Sequence, residues 1–183
     1  HPDGADISDP LISAVEAAGL WPLMTRVGTW VIGCREYGMR VHATPEGELL
    51  YRPVSPDRLV LGASPDRPDV PVYVKELRLR QRPSTGAYEW TWNILDISDP
   101  EYPYERVLLA DARGAEGEDV TWAYLGGMME GDSYPYRDSS GKAIIPFVLY
   151  HAERHGGLWD AFHGSEVIHG SLNCAVLFSF FIH

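Results

Sequence analysis

Val72-Tyr73-Val74-Lys75-Glu76-Leu77-Arg78-Leu79-Arg80-Gln81-Arg82 runs into Pro83-Ser84-Thr85-Gly86, and Tyr88-Glu89-Trp90-Thr91-Trp92-Asn93-Ile94 follows. The period in both runs is two. Leu77 and Leu79 fall on one side of the first, with Glu76, Arg78, Arg80 and Arg82 on the other. Tyr88, Trp90, Trp92 and Ile94 share one side of the second, with Glu89, Thr91 and Asn93 opposite. Alternation of this kind marks strands, and a short Pro/Gly-containing link between two such runs marks a hairpin. Glu89 is then expected to face the arginine row. Leu77, Leu79, Trp90 and Trp92 are expected to form core, because rings alternating at strict period two are what a sheet buries.

Outward from this hairpin the same signals repeat. Residues 37–43 and 49–54 flank a Pro45-Glu46-Gly47 turn and predict a second hairpin. Residues 58–62 predict a short strand after Ser55-Pro56-Asp57, and 104–111 with 120–125 predict a third hairpin across a Gly- and acid-rich loop. Ile144–Tyr150 reads as a buried strand or extended segment. At the N-terminal end Asp9-Pro10 suits a helix start and Gly19 a stop, with a second helix from Pro22 to about Cys34. From Leu158 the pattern turns helical, and Ser171–His183 is apolar nearly all round. The expected fold is α+β: antiparallel hairpins and sheet, flanked by N-terminal helices and an apolar C-terminal helix. The expected organisation is an N-terminal helical segment at 1–36, a β-rich region at 37–150 and a loop with C-terminal helix at 151–183, one domain overall.

At 183 residues, 45% hydrophobic and 22% charged, the composition is that of a globular chain with a real core. A net charge of −11 argues against a surface built to grip phosphates. Residues 87–133 hold eleven acids against only Arg106 and Arg113. A solvated sheet face accounts for that asymmetry; so does a surface that lies beside a polyanion without holding it. No apolar run reaches the roughly 18 residues of a membrane helix, and no membrane partner is expected. The start His1-Pro2-Asp3-Gly4 is unlike a secretory leader. With no initiating Met, and an end inside Leu177-Phe178-Ser179-Phe180-Phe181-Ile182-His183, the chain is expected to be a piece of a longer polypeptide. Cys34 and Cys174 lack zinc or redox spacing, so free buried thiols are expected, with a disulfide between them as the alternative.

Candidate chemistry is sparse. His151, His155, His163 and His169 lie close in sequence with Glu153 among them, but the order is not His-Glu-x-x-His and Gly156-Gly157 follows at once. Loop and surface histidines are the expectation, and a metal site is not. There is no nucleophile elbow and no phosphate-binding loop. Cys34 precedes Arg35, and a neighbouring cation can lower a thiol pKa, yet a lone cysteine on an amphipathic stretch is usually packing. No catalytic residue, metal or cofactor is expected, and the chain is read as a non-enzyme.

The order of segments carries more than any site. A helix leads into Trp30-Val31-Ile32-Gly33-Cys34-Arg35-Glu36-Tyr37-Gly38-Met39-Arg40-Val41, and Leu50-Tyr51-Arg52-Pro53-Val54-Ser55-Pro56-Asp57-Arg58-Leu59-Val60 follows a turn. This resembles the wing region of portal proteins of tailed bacteriophages. Gly141-Lys142-Ala143-Ile144-Ile145-Pro146-Phe147-Val148-Leu149-Tyr150 resembles that family's Gly-x-Ile-Pro-hydrophobic segment, with Leu158-Trp159-Asp160-Ala161-Phe162 standing where a subunit-packing helix begins. The resemblance spans roughly residues 20–183. It implies a virion structural protein, a head–tail connector forming a homo-oligomeric ring, typically of twelve subunits, at one capsid vertex. It implies terminase, capsid and head–tail adaptor proteins as partners, and non-specific passage of double-stranded DNA. It implies the virion as location, and the bacterial host cytoplasm during assembly. A channel for a sliding polyanion favours weak or repulsive electrostatics, in keeping with the acidic composition. Leu177, Phe178, Phe181 and Ile182 are the candidate subunit interface, since a helix cannot bury every face on one side. Two rivals stay open: a carbohydrate- or ligand-binding β domain using the aromatic strands, and a metal-dependent hydrolase using the His151–His169 cluster.

Overall fold

The computed structural model describes residues 8–44, 48–111, 114–125 and 134–152. They sort into two compact units, one of residues up to 56 with 146–152, the other of residues 57–145. Among the described residues no helix is long and apolar enough to cross a membrane.

The first unit holds helices α1 (Ser8–Ala17) and α2 (Leu20–Cys34) and strands β1 (Glu36–Ala43), β2 (Leu49–Val54) and β8 (Phe147–His151). Gly19 separates the helices at φ +67°, a left-handed conformation that glycine adopts without a Cβ clash. Pro22 sits in the first turn of α2, where a missing N–H costs nothing. Arg35, at φ 64°, turns the chain from α2 into β1. The sheet order is β2-β1-β8, antiparallel, with β1 central. The expected hairpin at 37–54 is present, and Pro53 lies in an edge strand, where no ladder donor is lost. The 144–150 run supplies β8, pairing Tyr37 with Tyr150 and Arg40 with Phe147. The packing is aromatic: Trp30 stacks on Tyr37 at 5.0 Å and Tyr150 Oη donates to Met24 Sδ at 3.4 Å.

The second unit is an antiparallel meander: β3 (Leu59–Ala63), β4 (Pro71–Gln81), β5 (Tyr88–Asp96), β6 (Tyr104–Ala110) and β7 (Glu116–Asp119), in that spatial order. The β4–β5 hairpin forms with Leu77 opposite Trp92 and Leu79 opposite Trp90. Its turn closes through Gly86 N donating to Arg82 O at 2.8 Å, with Gly86 at φ +71°.

Two expectations are corrected here. Residues 120–125 are not a strand. Thr121–Leu125 is a one-turn helix, α3, and β6 pairs instead with Glu116–Asp119. Asp119 caps α3 by accepting the Thr121 N–H at 2.9 Å. Leu79 and Trp90 are not core: Leu79 is 52% exposed and Trp90 36% exposed, whereas Trp92 is buried. The register explains it. β3 pairs with β4 only over residues 71–76, and β6 pairs with β5 only over 91–96. Beyond those limits 79–81 and 88–90 pair with each other as a two-stranded arm, with no third strand beside it among the described residues. The residues that do fill the core are Leu59, Val74, Leu95, Val107 and Val120, joined by buried Glu76, Thr91, Asn93 and Glu105.

The expected C-terminal helix lies outside the described residues.

Candidate functional site

The arm and the sheet face beneath it hold the densest chemistry among the described residues. Alternation sends Arg78, Arg80, Arg82 and Glu89 to one face and Leu79, Tyr88 and Trp90 to the other.

On the charged face Asn93 is the hub. Its Oδ1 accepts from Arg80 Nη2 at 2.9 Å and Arg78 Nη1 at 3.5 Å, and its Nδ2 donates to Glu105 Oε1 at 2.9 Å. Glu76 lies 3.9 Å from Arg78 Nε. The Asn93 amide at Glu105 and the Arg78 guanidinium beside Glu76 offset part of the water these buried carboxylates lose. Farther along the arm Glu89 Oε1 accepts from Arg82 Nε at 3.0 Å and from Tyr124 Oη at 2.7 Å, while the Arg80 guanidinium lies 5.3 Å from the Tyr124 ring centre. The expected facing of Glu89 and the arginine row is therefore present. Burial pushes the Glu89 carboxyl up, but the hydrogen bonds from Tyr124 and Arg82 outweigh it and hold the group below the ordinary glutamate value. Burial, then the hydrogen bond to Glu89, pushes the Tyr124 phenol up to about 12. α3 thus props the arm through one carboxylate.

The apolar face is open toward its tip. Tyr88 is 71% exposed, and Val60 on β3 is also exposed. Both tryptophans carry a cation on the ring: Arg58 Cζ lies 5.4 Å from the Trp90 centroid and Lys75 Nζ 4.2 Å from that of Trp92. Lys75 also pairs with Glu116, and Trp92 Nε1 donates to Gly114 O at 2.8 Å. A flat stacking platform for a sugar needs adjacent open rings. Trp92 is closed and the cation-bearing side of Trp90 is occupied, which leaves Tyr88 as the open ring.

Of the histidine cluster His151 is described. Its Nδ1 lies 3.3 Å from Oε1 of buried Glu36, tying β8 to β1. His155, His163 and His169 lie outside the described residues, as do Leu177, Phe178, Phe181 and Ile182. Among the described residues no group of three or more His, Cys, Asp or Glu side chains is arranged to hold a metal ion. Cys34 is a free thiol, half-buried.

The arm's exposed apolar face was missed in the sequence because period two reports that two faces differ, not which is covered. The signal that marks it is positional. Leu79, Tyr88 and Trp90 lie next to the hairpin turn, beyond the reach of the short neighbouring run at 58–62. No protein-family description, curated protein or solved structure matches the chain.

Proposed function

We propose that the chain is a structural subunit of a virion, of the portal type: one copy in a ring at a capsid vertex through which DNA is packaged and ejected. The single observation that carries an assembly role is the β4–β5 arm. A two-stranded ribbon is marginal in water without a third strand or a packed face. This one leaves Leu79 and Tyr88 exposed and Trp90 partly exposed on one side, and exposed apolar surface of that kind marks contact with another molecule. The order of segments in the sequence supports the portal type within that class. The acidic β7 edge, Glu116-Gly117-Glu118-Asp119, exposed throughout, suits a protein beside DNA that does not grip it.

Negative-stain microscopy of the purified chain tests the reading. Ring-shaped particles are expected for wild type, and their loss is expected for Leu79→Lys/Trp90→Lys with circular dichroism unchanged. Wild-type particles of single-chain size at every concentration would overturn it. Selective retention on a glycan array, lost with Tyr88→Ala, would transfer the case to the carbohydrate-binding rival.

A further inference from the structure

The two edges of the five-stranded sheet are cut to different heights. On one edge β3 accompanies β4 only as far as Leu59 opposite Glu76, and from Leu77 to Gln81 that side of β4 has no strand beside it among the described residues. On the other edge β7 is short: Asp119 lies opposite Leu108 and Glu116 opposite Ala110. Leu108 is level with Trp92, and Trp92 with Leu77. β7 therefore stands at the height of residues 77–79 of β4, which is the height at which β3 is missing. One edge has a notch and the other a step of matching height. The backbone parity matches as well. Arg82 N–H donates to Ala87 O and Ile97 N–H to Val72 O, at 2.8 Å each, so the even-numbered residues of β4 turn their backbone groups to β5. In an antiparallel ladder the alternate residues turn the other way, so Leu79 and Gln81 present N–H and C=O to the notch. Odd-numbered residues of β6 turn to the β7 side, where Val107 O accepts from Val120 N–H at 2.8 Å. Glu116, opposite even-numbered Ala110, turns its own groups outward.

We infer that the notch is an interface between copies of the chain, and that the strand seated in it is β7 of the neighbouring copy; the inference rests on the ring-subunit reading and gives it a contact. Direction, register and charge select that occupant. Each consecutive pair in the meander is antiparallel, so β7 runs opposite to β4. Two copies set side by side with no shift along the strands then bring β7 of one antiparallel to β4 of the next. Glu116 falls opposite Leu79, and both turn their backbone groups into the gap. The charges are opposite. Arg78, Arg80 and Arg82 lie on β4 along the notch and Arg58 is exposed at its foot, whereas β7 brings Glu116, Glu118 and Asp119, all exposed. Opposite charges on neighbouring strands attract across the pair, and a second β4 in the notch would set arginine against arginine. A bare strand edge is a template for another strand. A chain's own β7 cannot fill its own notch, since β5 and β6 stand between and hold the two strands about 14 Å apart. The contact joins two different edges, so it is heterologous, and repetition of such a lateral step makes a ring where the rotation closes.

Disulfide trapping tests this on the full chain. Cys34→Ser and Cys174→Ser remove both native thiols. One variant then carries Leu79→Cys and another, distinguished by a mass tag, Glu116→Cys. A hydrogen-bonded antiparallel pair brings Cα atoms to about 5.5 Å, inside the roughly 4.4–6.8 Å that a disulfide spans. After mixing and oxidation the mixed adduct is expected to exceed either same-variant adduct by roughly tenfold, the ratio a preference of about 1.4 kcal/mol produces. Equal yields of mixed and same-variant adducts, or no adduct, overturn the inference. Should either variant fail to fold by circular dichroism, hydrogen exchange on the wild type decides. The Leu79 and Glu116 amides are expected to exchange more slowly in the assembled particle than in single chains, by roughly tenfold or more. Amides already protected in single chains mean that the chain's own residues cover the edge, and the inference falls. Rings in the microscope without a mixed adduct and without this protection overturn the inference and leave the ring reading standing. Mixed adducts without rings uphold the contact and sink the ring reading.

Discussion

Trp90 and Trp92 lie two residues apart on one strand face, yet the fold predicts very different costs for removing them. Trp92 is buried, donates to Gly114 O at 2.8 Å, and supports Lys75 at 4.2 Å from its ring centre. Trp92→Ala opens a cavity and leaves that carbonyl without its donor, which costs about 3–5 kcal/mol. Trp90 stands on the two-stranded arm, 36% exposed, with the Arg58 guanidinium over its ring. Trp90→Ala forfeits partial burial and an exposed cation–ring contact, about 1–2 kcal/mol in total. Urea denaturation followed by far-ultraviolet circular dichroism resolves the difference. With a slope of about 1–3 kcal/mol/M, a gap of about 2 kcal/mol separates the two midpoints by roughly 1 M. Equal midpoints for the two variants would refute the reasoning, because they would mean that the arm is packed as tightly as the sheet.

Other consequences concern the latch and the turns. Tyr124→Phe removes the phenol hydrogen bond to Glu89 and is expected to cost about 1.5 kcal/mol, read by thermal unfolding. Because the folded Glu89 carboxyl titrates below its ordinary value, its contribution is present above that value and is lost as pH falls through the lower folded one. Glu89→Gln should therefore flatten the acid limb of a stability-versus-pH curve. The Tyr124 phenol, raised from 10.0 to about 12, contributes stability that is complete below 10 and lost as pH rises through about 12. Tyrosinate absorbance in Tyr124→Phe should lack that late titration. Asp119→Ala uncaps α3 and is expected to cost about 1 kcal/mol. Gly86→Ala places a Cβ at φ +71° and should cost about 1–2 kcal/mol, both read as shifts in the urea midpoint.

The β4–β5 and β1–β2 hairpins were legible because alternation and turn residues agree there. The covered face was not. Leu79 and Trp90 look like core in any reading of hydrophobicity, but burial depends on how far neighbouring strands extend, and that is a property of β3 and β6. Glu76, Asn93 and Glu105 look like surface, but Asn93's hydrogen bonds to Glu105, Arg78 and Arg80 and the Arg78 charge beside Glu76 make their burial tolerable. β7 was invisible because Glu116–Asp119 is exposed on both sides and offers no alternation. Val120, Trp122 and Tyr124 satisfied period two by chance, since one helical turn is too short to reveal a 3.6-residue repeat. The Glu89–Tyr124 contact joins residues far apart in the chain, and no local pattern marks it.

The central claim is that this chain assembles with itself, and the mass of the wild-type particle across a dilution series tests it most directly. A closed ring predicts one discrete particle near twelve times 20.4 kDa, persisting on dilution until it gives way to single chains. A particle of 20.4 kDa at every concentration, soluble and folded, would contradict it.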